Sequence, residues 1–100
     1  MEISLTGKRA LITGGSRGLG RAMAETFAEA GADVAVIARD ESQLQETVAA
    51  LQSIRPMGKF VGISADVSEA SNVSRAHGEA VDFFGPVEVL VNNAGTSNAQ

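Results

Sequence analysis

Four short apolar runs, separated by three stretches long enough for helices, most narrowly limit how this chain can fold. The runs are Ala10-Leu11-Ile12-Thr13, Val34-Ala35-Val36-Ile37-Ala38, Phe60-Val61-Gly62-Ile63-Ser64-Ala65 and Val87-Glu88-Val89-Leu90-Val91. Most are apolar on both faces rather than alternating, as in strands of a parallel sheet covered on both sides. Parallel neighbours need a crossover of about a dozen residues or more, and the intervening stretches supply it. Leu19, Ala22, Met23, Phe27 and Ala30 recur at helical spacing and stop at Gly31. Leu44, Val48, Leu51 and Ile54 form a second stripe behind Asp40-Glu41-Ser42-Gln43, which reads as a capping box with Asp40 as cap. A third helix is predicted from about Ser68, with Val73, Ala76, Ala80 and Phe84 on one face, ending before Gly85-Pro86. Arg55-Pro56-Met57-Gly58 reads as the loop out of the second helix. The expectation is an α/β fold in the order β-α-β-α-β-α-β, over a buried central sheet.

Composition removes several functions. With 44% hydrophobic and 20% charged residues in 100, the chain reads as one globular domain rather than a disordered or collagenous segment. No apolar run approaches the roughly 18 residues of a membrane helix, and Met1 to Gly7 lacks a basic region followed by an apolar one. A soluble cytoplasmic protein without a membrane partner is therefore expected. There is no cysteine and one histidine, His77, so no disulfide, thiolate nucleophile or metal site is assigned. A net charge of −4 supplies no basic face for nucleic acid. Tyrosine is absent too, so this chain offers no phenol as a proton donor.

The turn after the first run reads Thr13-Gly14-Gly15-Ser16-Arg17-Gly18-Leu19-Gly20 and opens into the first helix. Glycines there permit positive φ and close approach of backbone N–H groups, and a helix N-terminus carries partial positive charge suited to phosphate. A ligand-free strand-to-helix turn would look similar. A P-loop would need Lys and then Ser or Thr after Gly20, where Arg21 and Ala22 stand. The spacing also departs from G-x-G-x-x-G. It resembles the T-G-x-x-x-G-x-G loop of the short-chain dehydrogenase/reductase family. Asn92-Asn93-Ala94-Gly95 at the end of the fourth run resembles that family's N-N-A-G segment, and Asp66-Val67 its pair after the third strand.

That resemblance implies a Rossmann-like, incomplete doubly wound sheet of strand order 3-2-1-4, with strands one and four flanking a ligand crevice at the topological switch point. Thr13, Gly14, Ser16, Arg17, Gly18, Leu19 and Gly20 would form one wall, and Asn92, Asn93, Ala94 and Gly95 the other. Alone, Asn92-Asn93 would be an ordinary turn. Ala38 stands where an NAD enzyme of the family carries a carboxylate, and Arg39 follows it. With Arg17 as a second cation for a 2′-phosphate, NADP(H) is expected in preference to NAD(H), although both arginines also suit a solvated surface. Asp66 would accept from the adenine amino group with Val67 against the ring, or help to cap the helix near Ser68, or both. His77 lies on a helix away from the crevice.

The family protonates its carbonyl substrate with a Tyr whose pKa is lowered by a Lys four residues on, aided by a Ser and an Asn. None of these is assignable here; Ser97 and Asn98 come too early in the chain, and no catalytic residue is named. Residues 1–100 are therefore expected to be the NADP-binding portion of an oxidoreductase acting on a carbonyl or secondary alcohol, with the catalytic half elsewhere. Alone the chain should be inactive and marginally stable, with the fourth strand an exposed edge, and homo-oligomers are expected only of the complete protein. The alternative is a non-catalytic dinucleotide-binding or sensing module.

Overall fold

The first two apolar runs are the ones buried on both faces, and they lie at the centre of the sheet. A computed structural model describes residues 4–14 and 18–93. Its elements are β1 (Arg9–Thr13), α1 (Gly18–Glu29), β2 (Asp33–Ala38), α2 (Glu41–Ile54), β3 (Phe60–Ser64), α3 (Ala70–Phe84) and β4 (Val89–Asn92). The strands form one sheet in the order β3-β2-β1-β4, every pair parallel, as the sequence leads one to expect. Among the described residues no helix is long and apolar enough to cross a membrane.

Two apolar layers cover the sheet. On one face Ile12, Val34 and Val36 pack with Ala24 and Ala28 of α1 and Leu44 and Leu51 of α2. On the other, Leu11, Ala35, Ile37 and Ile63 pack with Ala76, Ala80 and Phe84 of α3. The edge strands are covered less completely: β3 buries only Phe60 and Ile63, β4 alternates between half-buried and exposed residues, and Leu90 of β4 is 64% exposed. A strand bordered on one side only leaves one row of backbone groups and part of its surface uncovered.

The helices differ from the sequence expectation in detail. In α1 the buried face is Gly20, Ala24 and Ala28, while Leu19 and Ala22 are exposed. Small residues at i, i+4 and i+8 let the helix backbone approach the sheet, so Met23 and Phe27 flank the contact rather than fill it. In α2, Thr47 takes a fully buried place beside Leu44 and Leu51, and Val48 is only partly covered. Its cap is as expected, since the Asp40 carboxylate accepts from Gln43 N at 3.1 Å. The third helix starts at Ala70 rather than Ser68, because residues 66–69 close a turn of their own on the Asp66 side chain.

The two ends of the sheet are built differently. At the amino ends of the strands, Arg55 donates to Ala28 O (3.1 Å) and Ala32 O (2.7 Å) and pairs with Asp33 at 2.7 Å. Asp33 also accepts from Lys59 N, and Glu88 from Arg9 N. Arg55 lies in the loop out of α2, as expected, and from there also clamps the end of α1 and the start of β2. These bonds close the lower end, and the groups singled out for function lie at the opposite, carboxyl end.

Candidate functional site

At the carboxyl ends of β1 and β4 the register sets Thr13 opposite Asn92. Thr13 is 3% exposed, and its hydroxyl donates to Asn92 Oδ1 at 2.9 Å. Thr13 Oγ1 in turn accepts from Asn93 N at 3.1 Å, and Thr13 O lies 3.2 Å from that nitrogen. Asn93 Nδ2 reaches Gly14 O at 3.5 Å, and Gly14 N donates to Ile37 O of β2 at 2.7 Å. A threonine suits this place because one hydroxyl both donates and accepts, joining the start of the glycine turn to the asparagine pair.

Gly14 has φ +75° and Gly18 φ +62°, left-handed backbone that a side chain disfavours. Gly18 opens α1, whose first turn holds no acidic residue, so its N-terminal partial charge is not offset there. Leu19 is 68% exposed beside it, and Gly20 is buried. Ser16 and Arg17, like Ala94 and Gly95, lie outside the described residues.

A second cluster sits at the carboxyl ends of β2 and β3. The backbone at residues 38–40 is pinned by Ala65 N on Ala38 O (2.9 Å), by Ser64 Oγ on Arg39 O (3.1 Å) and by the cap of α2 at Asp40. The Arg39 side chain is exposed and makes no ion pair among the described residues. Asp66 Oδ1 accepts from Ser68 Oγ at 2.7 Å and Ser68 N at 3.0 Å. Val67 packs on the α3 side of the sheet, against the cluster of Leu11, Ala35 and Ile37.

The Ser68 hydroxyl above all, then its N–H, hold the Asp66 carboxyl below its ordinary pKa; the Arg39 charge acts the same way and partial desolvation opposes them. A depressed native pKa contributes stability that is present above the unfolded value and lost as pH falls through the native one. NMR titration of the Asp66 carboxyl is expected to show a midpoint below that of an unfolded-chain aspartate, moving up in Ser68→Ala. An unchanged midpoint in that variant would contradict the assigned cause.

The structure thus brings Thr13, Gly14, Asn92 and Asn93 together, and separately gathers Arg39, Asp66 and Val67. His77 is exposed on α3, outside both clusters. Sequence reasoning missed Ser64 and Ser68. Ser68 was legible in principle, since Asp followed two residues later by Ser is a pattern that closes on its own backbone. Ser64, inside a strand, gave no such signal.

Residues 8–100 match the family model described as short chain dehydrogenase. The chain is 41% identical over 92 residues to the ketoacyl reductase HetN of Nostoc, covering 92% of this chain and 31% of that protein. It is 39% identical to the 3-oxoacyl-acyl-carrier-protein reductase of rhamnolipid biosynthesis from Pseudomonas aeruginosa, covering 94% of this chain and 36% of that one. Among solved structures, L-sorbose reductase from Gluconobacter frateurii, complexed with NADPH and L-sorbose, superposes with a TM-score of 0.88 at 35% identity, over 96% of this chain and 36% of that one. The chain thus spans about a third of the length of these relatives. By the family match, the parallel sheet of order β3-β2-β1-β4 and the glycine turn seamed to Asn92-Asn93, this chain belongs to the short-chain dehydrogenase family.

Proposed function

We propose that residues 1–100 form the NADP(H)-binding portion of an oxidoreductase that moves hydride between nicotinamide and a carbonyl or secondary alcohol. The observation that carries this reading is the Thr13 seam, which sets the glycine turn and the asparagine pair side by side at the switch point of the sheet. The residues fit such a cofactor: two left-handed glycines, an α1 first turn without acidic side chains, and after β2 an exposed cation, Arg39, that makes no ion pair among the described residues.

In this reading the turn from Thr13 through Gly14, Ser16, Arg17, Gly18, Leu19 and Gly20 receives the phosphates on backbone N–H groups. Arg39 and Arg17 meet the 2′-phosphate, Asp66 accepts from the adenine amino group, and Val67 borders the ring. Asn92, Asn93, Ala94 and Gly95 form the wall beside the nicotinamide half. Bound there, the dinucleotide supplies or takes the hydride. The reductase names of the relatives support a carbonyl substrate. No tyrosine occurs in these residues, so they provide the cofactor's seat and no phenolic acid. Turnover is therefore assigned to the assembled enzyme and not to residues 1–100 alone. A chain without cysteine has no need of an oxidising compartment, and we place it in the cytoplasm.

The test is to titrate NADPH and NADH into the protein expressed from its complete reading frame, following nicotinamide fluorescence. NADPH is expected to bind more tightly by about tenfold or more, the scale of one charge-assisted contact. Equal affinities would overturn the NADP assignment, and no binding of either would overturn the function.

A further inference from the structure

We propose that Ser68 is a positioning residue that sets the base selectivity of the cofactor site by fixing which oxygen of Asp66 is free to accept. The inference rests on the placement of Asp66 at the adenine proposed above. Both Ser68 donors, the hydroxyl at 2.7 Å and the N–H at 3.0 Å, converge on one oxygen, Oδ1. Oδ2 has no hydrogen bond among the described residues. The turn beneath is itself fixed: Asp66 O accepts from Glu69 N and from Asn72 Nδ2, each at 3.3 Å, and Val67 packs on the sheet.

The Asp66 carboxylate therefore cannot turn about its own axis without giving up two bonds. An ionised carboxylate only accepts hydrogen bonds. Oδ2 thus presents a fixed acceptor that suits an exocyclic amino group and repels a carbonyl oxygen in the same place. Hypoxanthine offers a carbonyl at that position with an N–H beside it. A freely turning carboxylate could swing to that N–H, whereas one pinned through Oδ1 cannot. Ser68 touches no part of the base in this arrangement and acts only through Asp66.

The experiment compares NADPH with its reduced hypoxanthine analogue by fluorescence titration. It uses the protein expressed from its complete reading frame, as wild type, Ser68→Ala, Ser68→Thr and Asp66→Ala. Wild type is expected to favour NADPH by about tenfold, one charge-assisted bond against a repelled carbonyl. In Ser68→Ala the preference should shrink to about threefold or less, and Ser68→Thr, which keeps the hydroxyl, should restore it. A general loosening of the loop would weaken both ligands alike and leave their ratio unmoved, and that result overturns the inference. If Asp66→Ala loses the preference while Ser68→Ala keeps it, Ser68 has no such role and the placement of Asp66 stands. If both variants keep it, Asp66 does not face the base, and the inference falls with that placement.

Discussion

Arg39→Asp is expected to weaken NADPH binding by about 1.5 to 3 kcal/mol, roughly ten- to a hundredfold, while NADH binding holds or improves. The Arg39 side chain is exposed, so its removal breaks no ion pair among the described residues. Its backbone is held independently by Ser64 Oγ and by the cap at Asp40, so the new carboxylate occupies the same mount. What changes is the sign of the charge offered to a 2′-phosphate, together with a like charge brought near Asp66. The unfolding midpoint should stay within a degree or two, as for surface substitutions generally. Titration of both nucleotides reads the effect; an unaltered ratio of affinities would show that Arg39 does not meet the phosphate.

Such a prediction is possible because the carboxyl ends of the strands were legible in the sequence. Runs apolar on both faces locate β1 and β2 at the centre. The glycine turn and the asparagine pair, each ending a run, then fall on neighbouring strands once the order β3-β2-β1-β4 is given. Less legible was anything decided by small residues or by local side-chain bonds. The α1 contact face runs through Gly20, Ala24 and Ala28, which a search for bulky apolar residues passes over, and so it mistakes exposed Leu19 and Ala22 for core. The start of α3 was misplaced because Asp66 and Ser68 satisfy one another before the helix can recruit them. Arg55 lies in the loop that the sequence marks, but its clamp is not legible there, because its four partners, Ala28, Ala32, Asp33 and the Phe60 ring, are remote from it in sequence or become neighbours only when the sheet forms.

Gly14→Val is expected to have the largest effect of any single change at the turn, lowering both stability and nucleotide affinity. At φ +75° a β-branched residue is strained, at a cost of about 1 to 3 kcal/mol. The alternative is for the backbone to leave that region, and two links oppose it. Gly14 N donates to Ile37 O at 2.7 Å, and Gly14 O lies within reach of Asn93 Nδ2 at 3.5 Å. Relief of strain therefore costs the tie to β2 and loosens the seam between Thr13 and the asparagine pair. NADPH affinity should fall by more than tenfold, because the N–H groups that follow are re-aimed. Urea unfolding should show a lower midpoint with an unchanged slope. Gly14→Ala separates the two causes, since alanine accepts left-handed φ at about 1 to 2 kcal/mol and adds only a methyl group. If strain dominates, Ala and Val lose stability by similar amounts. If the bulk of the side chain dominates, Ala binds NADPH nearly as wild type does and Val does not. Wild-type affinity in both variants would show that no dinucleotide lies against this turn.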